Sequence, residues 1–313
     1  MRKLPALIAA SAVLAAVAIP SASAARPAAP APAVQASATA EPPSYPATPL
    51  TSYAAFDANQ AIAVDAKYFY AVNNRTITKH DRRTGEPLLQ FAGDTDGPFK
   101  HMDSGVVVGS KLYAVHSNYP EWPMESSIEV FDTKTMKHID SYSFGIYRGS
   151  LTWLDRHDGA WWAGFANYDE ISDDTNEPYG QTYNTQIVKL NDKFEPLASY
   201  TIPKPILDRF KPMSNSGGSW GPDGRLWLTG HDLGEAYVMT LPAAGAELTW
   251  VATVELPGVE GQGISWDRSG GRPALWTIKR STKQVLVFDV PFASIKTPPN
   301  GSWHVYGPGN FQK

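Results

Sequence analysis

The chain has 313 residues, with 27 lysines and arginines against 31 aspartates and glutamates, 42% hydrophobic and 12% aromatic residues, and no cysteine. Its 10 tryptophans, 14 tyrosines and 12 phenylalanines need burial, which excludes disorder throughout. Without cysteine there is no disulfide scaffold and no thiolate chemistry, and the near-neutral balance argues against a phosphate-neutralising nucleic-acid binder.

Residues 1–24 read as a secretory signal. Arg2 and Lys3 precede an apolar run from Leu4 to Ile19, followed by the small-residue cleavage site Ala22-Ser23-Ala24. Pro20 breaks the run, so a cleaved leader is expected rather than a membrane anchor. This places the mature chain outside the cytoplasm, secreted or periplasmic, with no stable membrane insertion. Residues 25–50 are rich in Ala and Pro, favour extended solvated backbone and predict a disordered tether without chemistry.

From Gln60 onward one pattern recurs. A short apolar strand is followed by a tight turn, an aromatic strand, a polar loop, a third strand, a second turn and a fourth strand. The first copy is Gln60–Asp65, Tyr68–Val72, Thr76–Asp81 and Leu88–Phe91, and the second is Ser104–Val108, Lys111–Val115, Ser127–Asp132 and Ile139–Tyr142. The third is Ser150–Trp153, Ala160–Gly164, Gln186–Leu190 and Leu197–Tyr200. The fourth is Gly218–Trp220, Leu226–Thr229, Ala236–Met239 and Val251–Val254. The fifth is Gly263–Trp266, Ala274–Ile278, Gln284–Asp289 and Trp303–Tyr306. Four strands recurring five times at roughly 45-residue spacing predict an all-β fold, a five-bladed β-propeller of four-stranded antiparallel blades over residues 51–313. Thr51–Phe56 is expected to supply an outer strand to the last blade and close the ring.

Gly221-Pro-Asp-Gly-Arg-Leu-Trp-Leu228 and Phe131-Asp-Thr-Lys-Thr135 resemble the repeats of secreted bacterial propellers of the NHL, gluconolactonase-like and quinoprotein-like types. The resemblance spans residues 51–313 and rests on turn chemistry, so it implies the fold and not an activity. Five blades opening with Asn59-Gln60-Ala61-Ile62 are also similar to plant-type glutaminyl cyclotransferases, which open with Thr-Gln-Gly-Leu. That resemblance implies a reacting amine near Gln60 and an acidic residue in the channel. The Asn and Ala of this chain depart from the motif.

In a propeller, the loops leading into the inner strands and those joining strands two and three surround one mouth of the central channel. Three of the seven histidines, His101, His116 and His231, fall there, with Asp103, Asp232 and Glu235. Two chemistries are open. His101, Asp103, Asp232 and Glu235 are the expected ligands of a divalent metal (Zn, Mn or Ca), with imidazole also suited to Zn. Alternatively His116 or His231 is the general acid or base, while Arg148, Lys279 or Arg280 holds an anionic group, Arg148 being the first choice. Expected substrate-binding residues are Gln60, Asn118, Tyr119, Trp122, Asn215, Gln262, Lys279 and Arg280; Tyr119, Trp122 and Tyr147 suit a sugar ring. No His-Glu-x-x-His and no Gly-x-Ser-x-Gly occurs. His80, His138, His157 and His304 are expected to be structural, and Trp153, Trp220 and Trp266, recurring at inner-strand ends, to pack blade against blade.

Two loops exceed the repeat. Tyr168–Asn184 is acidic and is expected as a solvated loop, with a lid or a Ca²⁺ site as alternatives. Pro203–Ser219 carries the Gly217-Gly218 pair, which permits close backbone approach. The expected function is an exported hydrolase or lyase acting on an oligosaccharide or lactone, as a monomer. The alternative is a non-catalytic propeller that binds a glycan, peptide or envelope partner.

Overall fold

Strands are short here because side chains at the end of one strand close the turn into the next. Asp81 Oδ1 accepts the amides of Arg83 and Thr84 at 2.8 and 2.9 Å, and Gly85 turns the chain with φ +80°. The next blade repeats the device: Asp132 Oδ1 accepts the Thr135 amide at 2.8 Å and Met136 takes φ +54°. Each turn returns the chain antiparallel beside the strand it has just left.

The computed structural model describes residues 41–169 and 181–298. Blade 1 consists of β3 (Ala61–Val64), β4 (Tyr68–Val72), β5 (Thr76–Asp81) and β6 (Pro87–Ala92). Blade 2 is β7 (His101–Val108), β8 (Lys111–Ser117), β9 (Ser126–Asp132) and β10 (His138–Gly145). Blade 3 is β11 (Ser150–His157), β12 (Ala160–Ala166), β13 (Gln186–Leu190) and β14 (Pro196–Thr201). Blade 4 is β15 (Gly217–Trp220), β16 (Leu226–Thr229), β17 (Glu235–Thr240) and β18 (Thr249–Glu255). Blade 5 is β19 (Ser265–Asp267), β20 (Ala274–Lys279), β21 (Gln284–Asp289) and, from the start of the described chain, β2 (Thr48–Ala54). The fold is the expected five-bladed propeller of four-stranded antiparallel sheets.

Two boundaries shift. The closing strand β2 spans Thr48–Ala54 rather than Thr51–Phe56, and it pairs antiparallel with β21. Ahead of it, β1 (Ser44–Pro46) adds a parallel fifth strand to the outer edge of blade 4, with Tyr45 opposite Val254. Residues 44–50, read as tether, are therefore blade. Proline is tolerated there because an edge strand does not need every amide for the ladder. The leader, residues 25–40 and Trp303–Tyr306 lie outside the described residues. The Pro203–Ser219 loop carries a short helix, α1 (Lys204–Phe210), which buries Ile206, Leu207 and Phe210.

The recurrent tryptophans pack between blades. The Trp153 indole lies where a Cβ on Gly164 or on Gly218 of the next blade would overlap it, and its Nε1 donates to Asn215 Oδ1 at 2.6 Å. Trp220 of blade 4 meets Trp162 of blade 3 at 4.8 Å between ring centroids, and Trp266 of blade 5 meets Trp227 of blade 4 at 5.1 Å. A polar latch sits at the end of the channel where the inner strands finish. Asp155 of β11, 2% exposed, accepts from Ser219 Oγ at 3.0 Å, the Trp220 amide at 2.7 Å and Arg268 Nη2 at 2.5 Å. One carboxylate thereby ties blades 3, 4 and 5. Arg82 of blade 1 pairs with Asp267 of blade 5 and continues the latch across the ring closure.

Candidate functional site

At the other end of the channel the inner strands begin, and the loops between strands two and three meet them. The Met102 amide donates to Asn74 O and the Gln262 amide to Gly230 O, each at 2.9 Å. These bonds fix each loop against the start of the next inner strand. Side chains from separate blades thus share one mouth.

In blade 2 the β7–β8 register shifts between Met102 and Ser104, leaving Asp103 as a bulged residue. A bulge takes its residue out of the ladder and re-aims the side chain. Asp103 is buried, its Oδ1 lies 3.0 Å from His101 Nε2, and its Oδ2 has no hydrogen-bond partner among the described residues. Burial opposes the charged imidazole of His101, but the Asp103 charge and hydrogen bond outweigh it and hold the pKa above the ordinary value. The positive charge of Arg280 pulls the other way.

In blade 4 the loop after β16 carries His231 and Asp232. His231 Nδ1 is 2.5 Å from Asp232 Oδ1, and His231 Nε2 is 3.4 Å from Arg280 Nη1. A guanidinium only donates, so Nε2 is the accepting nitrogen and Nδ1–H donates to Asp232. Gln262 braces this loop from blade 5: its Nε2 donates to His231 O at 3.3 Å, from a backbone at φ +74°. That left-handed conformation is strained for a residue with a side chain, and such strain clusters at functional sites. Arg280 of the β20–β21 loop thus touches the His231–Asp232 pair and acts electrostatically on the His101–Asp103 pair.

Other expected residues serve the framework. His116, expected as catalytic, is buried with both nitrogens engaged: the Lys100 amide donates to Nε2 at 2.9 Å and Ser127 Oγ lies 3.2 Å from Nδ1. Burial lowers its pKa, only partly offset by Glu129 and Asp103. Ser127 donates onward to Glu129, which also takes His138 Nε2, so His116 belongs to a structural relay. Asn215 binds Trp153 Nε1 and the carbonyls of Gly217 and Thr229. Asn118 shapes its own loop through Pro123 O and the Glu125 amide, and Gln60 Nε2 donates to Asn74 Oδ1 at 2.7 Å. Each of these amides spends hydrogen-bonding groups on the protein itself. Lys279, the last residue of β20, is half-buried beside Arg280.

The four expected metal ligands do not converge. His101 and Asp103 pair in blade 2 and Asp232 pairs with His231 in blade 4. Glu235 turns to Arg209 of α1, Nη1–Oε2 3.3 Å, and to the Tyr237 hydroxyl at 2.7 Å. Among the described residues no group of three or more His, Asp or Glu is placed to hold a metal ion. Placed apart in this way, these donors do not fit a single Zn, Mn or Ca centre. In the acidic insert, Asp169 pairs with Lys211 at 2.8 Å, while Glu170, Asp173, Asp174, Glu177 and Tyr179 lie outside the described residues.

Beside the mouth, between blades 2 and 3, a cleft of about 300 Å³ gathers Trp122, Tyr147, Arg148, Asn167, Asn184 and Gln186. Tyr147 is 89% exposed and Trp122 47%. Arg148 Nη1 donates to Gln186 Oε1 at 3.1 Å, which seats the expected anion holder in this cleft rather than beside the histidines. Tyr119 lies between the two regions, its ring 5.3 Å from His101 and 5.1 Å from Tyr168. Asn184 and Gln186 were not among the expected binding residues, because nothing in the strand pattern marks the residues around the start of β13 as lining a cleft.

No protein-family model matches the chain, and no curated protein matches it. Among solved structures it is similar to the PQQ-bound aldose sugar dehydrogenase from Streptomyces coelicolor, at 14% identity and TM-score 0.43 over 75% of this chain and 78% of that one. It is also similar to hydrazine synthase of Kuenenia stuttgartiensis, at 10% identity and TM-score 0.43 over 74% and 83%. A third is U3-55K, at 11% identity and TM-score 0.40 over 74% and 96%. Likenesses this distant carry no activity, substrate or cofactor to this chain.

Proposed function

We propose that the protein is an exported enzyme, a hydrolase or lyase, acting at the channel mouth on a small polar substrate such as a lactone or an acidic oligosaccharide. The observation that carries this reading is Arg280, which stands at one imidazole–carboxylate pair and acts on a second from another blade. Two histidines of unlike environment supply a base and an acid, and the guanidinium beside His231 supplies an anion holder. For a lactone, His231 Nε2 takes a proton from the attacking water as its oxygen bonds to the carbonyl carbon. Arg280 carries the developing oxyanion. His101, whose pKa the Asp103 charge and hydrogen bond raise, returns a proton to the ring oxygen as the C–O bond breaks. Asp232 orients His231 through Nδ1–H.

A second reading, a non-catalytic glycan binder, is favoured by the exposed Trp122 and Tyr147 flanking Arg148 and three amide side chains. Export rests on the leader-like residues 1–24. Among the described residues no helix is long and apolar enough to cross a membrane.

The test is a panel of lactones and uronate-containing oligosaccharides incubated with wild type, His231→Gln and His101→Gln. The enzyme reading expects turnover that falls about 10²–10⁴-fold in each variant, with circular dichroism unchanged. Saturable glycan binding without turnover, lost in Trp122→Ala and Tyr147→Ala, would replace it with the second reading.

A further inference from the structure

The turns that follow the inner strands lie at the end of the channel opposite the mouth. At the seam between blades 5 and 1, those turns and β2 line an open cavity of about 560 Å³. One wall is aromatic: Trp276 stacks on Tyr53 with ring planes 6° apart and centroids 5.8 Å apart, and Tyr68 lines the same space. The rim is cationic, with Lys67, Arg82, Arg83 and Arg272 lining it beside the carboxylate of Asp81.

These charges are not equally available. Arg82 is committed to Asp267 and Arg272 to Asp289. Asp81 spends its Oδ1 on the amides of Arg83 and Thr84. Among the described residues, the Lys67 ammonium and the Arg83 guanidinium make no hydrogen bond or ion pair, and both residues are exposed. Two uncommitted cations therefore stand at the opening of an aromatic-walled cavity whose volume lies in the range of small-molecule sites.

We propose that this seam cavity binds a small organic anion, a ring-bearing carboxylate or phosphate. Its flat body lies against the half-buried Tyr53 and Tyr68, with the buried Trp276 backing Tyr53, and its anionic group is met by Lys67 and Arg83. A guanidinium fork and an ammonium match either anion, and the wall adds apolar contact that a bare inorganic ion cannot use. The site shares no residue with the channel mouth, so it stands independently of the catalytic reading. Tyr53 belongs to the strand that closes the ring and Lys67 to the first blade, so an occupant touches both sides of the closure. It therefore stabilises the folded ring by mass action.

The test is calorimetric titration of the full chain with phenyl phosphate and with benzoate, using benzamide and inorganic phosphate as the neutral and ring-free controls. The expected result is saturable binding of at least one aromatic anion, with each control at least about tenfold weaker. Lys67→Ala/Arg83→Ala is expected to weaken binding at least about tenfold while its unliganded thermal midpoint stays at the wild-type value. Arg83→Lys, which keeps the charge, is expected to retain most of the affinity, and saturating ligand is expected to raise the wild-type midpoint. The relative affinities of the two anions decide between phosphate and carboxylate. Failure of both to bind, benzamide binding as tightly as benzoate, or undiminished binding in the double variant would each overturn the proposal.

Discussion

Trp153 owes its place to two glycines from adjacent blades, because any Cβ on Gly164 or Gly218 would enter the space of the indole. Gly218→Ala is therefore expected to cost about 1–3 kcal/mol by overpacking, read as a lower urea midpoint with unchanged slope. His80 gives a pH-dependent counterpart. Its ring stacks on Phe69 at 4.6 Å, Nδ1 lies 2.9 Å from Gly85 O, and Nε2 is buried without a hydrogen-bond partner among the described residues. Burial is the main reason its pKa falls below the ordinary 6.5, and the Gly85 carbonyl and Asp57 offset this only in part. The unfolded chain then binds the proton more readily, so His80 leaves stability intact above about pH 6.5 and erodes it as the pH falls below that value. His101 has the opposite sign: its raised pKa adds stability at low pH that is lost as pH rises through the folded value. His80→Phe is expected to flatten the loss of thermal midpoint between neutral and mildly acidic pH. An unchanged slope would mean that other groups set it.

At the scale of the element, ring closure depends on β2. Without it the outer edge of β21 would lie open, and unpaired edges invite association. A chain beginning at Glu41 is expected to melt at the wild-type temperature. One beginning at Phe56 is expected to lose its cooperative transition and to elute as aggregate in size-exclusion chromatography. The closing strand was legible in the sequence because a ring must close and the stretch from Thr51 could supply an outer strand to the last blade, although Trp303–Tyr306 also read as the fourth strand of that copy. Its neighbour β1 was not. Three residues between Pro43 and Ala47 carry no periodicity, and their pairing is parallel to a strand some two hundred residues away in sequence. The mouth residues divide for a similar reason. Their common location follows from the repeat, which dictates where loops emerge. Their roles depend on side-chain partners that no spacing reveals, as with Asn215 under Trp153, His116 under the Lys100 amide and the bulge that buries Asp103.

For the whole molecule, one end of the channel is a latch and the other carries the proposed site. Asp155 joins three blades from a buried position, so Asp155→Ala is expected to cost about 3–5 kcal/mol and to leave Arg268 without its carboxylate. The exposed pair Lys204–Asp208 sits on one turn of α1, with Asp208 also accepting from the Tyr183 hydroxyl, and Asp208→Ala is expected to move the midpoint little. Denaturation curves of the two variants compare the contributions directly.

In the proposed site, histidine–carboxylate pairs from separate blades share Arg280. Histidine titration by long-range nitrogen–proton NMR, on wild type and on Arg280→Gln, reads this without knowledge of the substrate. The structure predicts that His101 titrates above the ordinary histidine value, and above His80 and His116, in the wild type. Removing the Arg280 charge is predicted to raise His101 further while His80 stays in place. A His101 titration unmoved by Arg280→Gln would contradict the shared site.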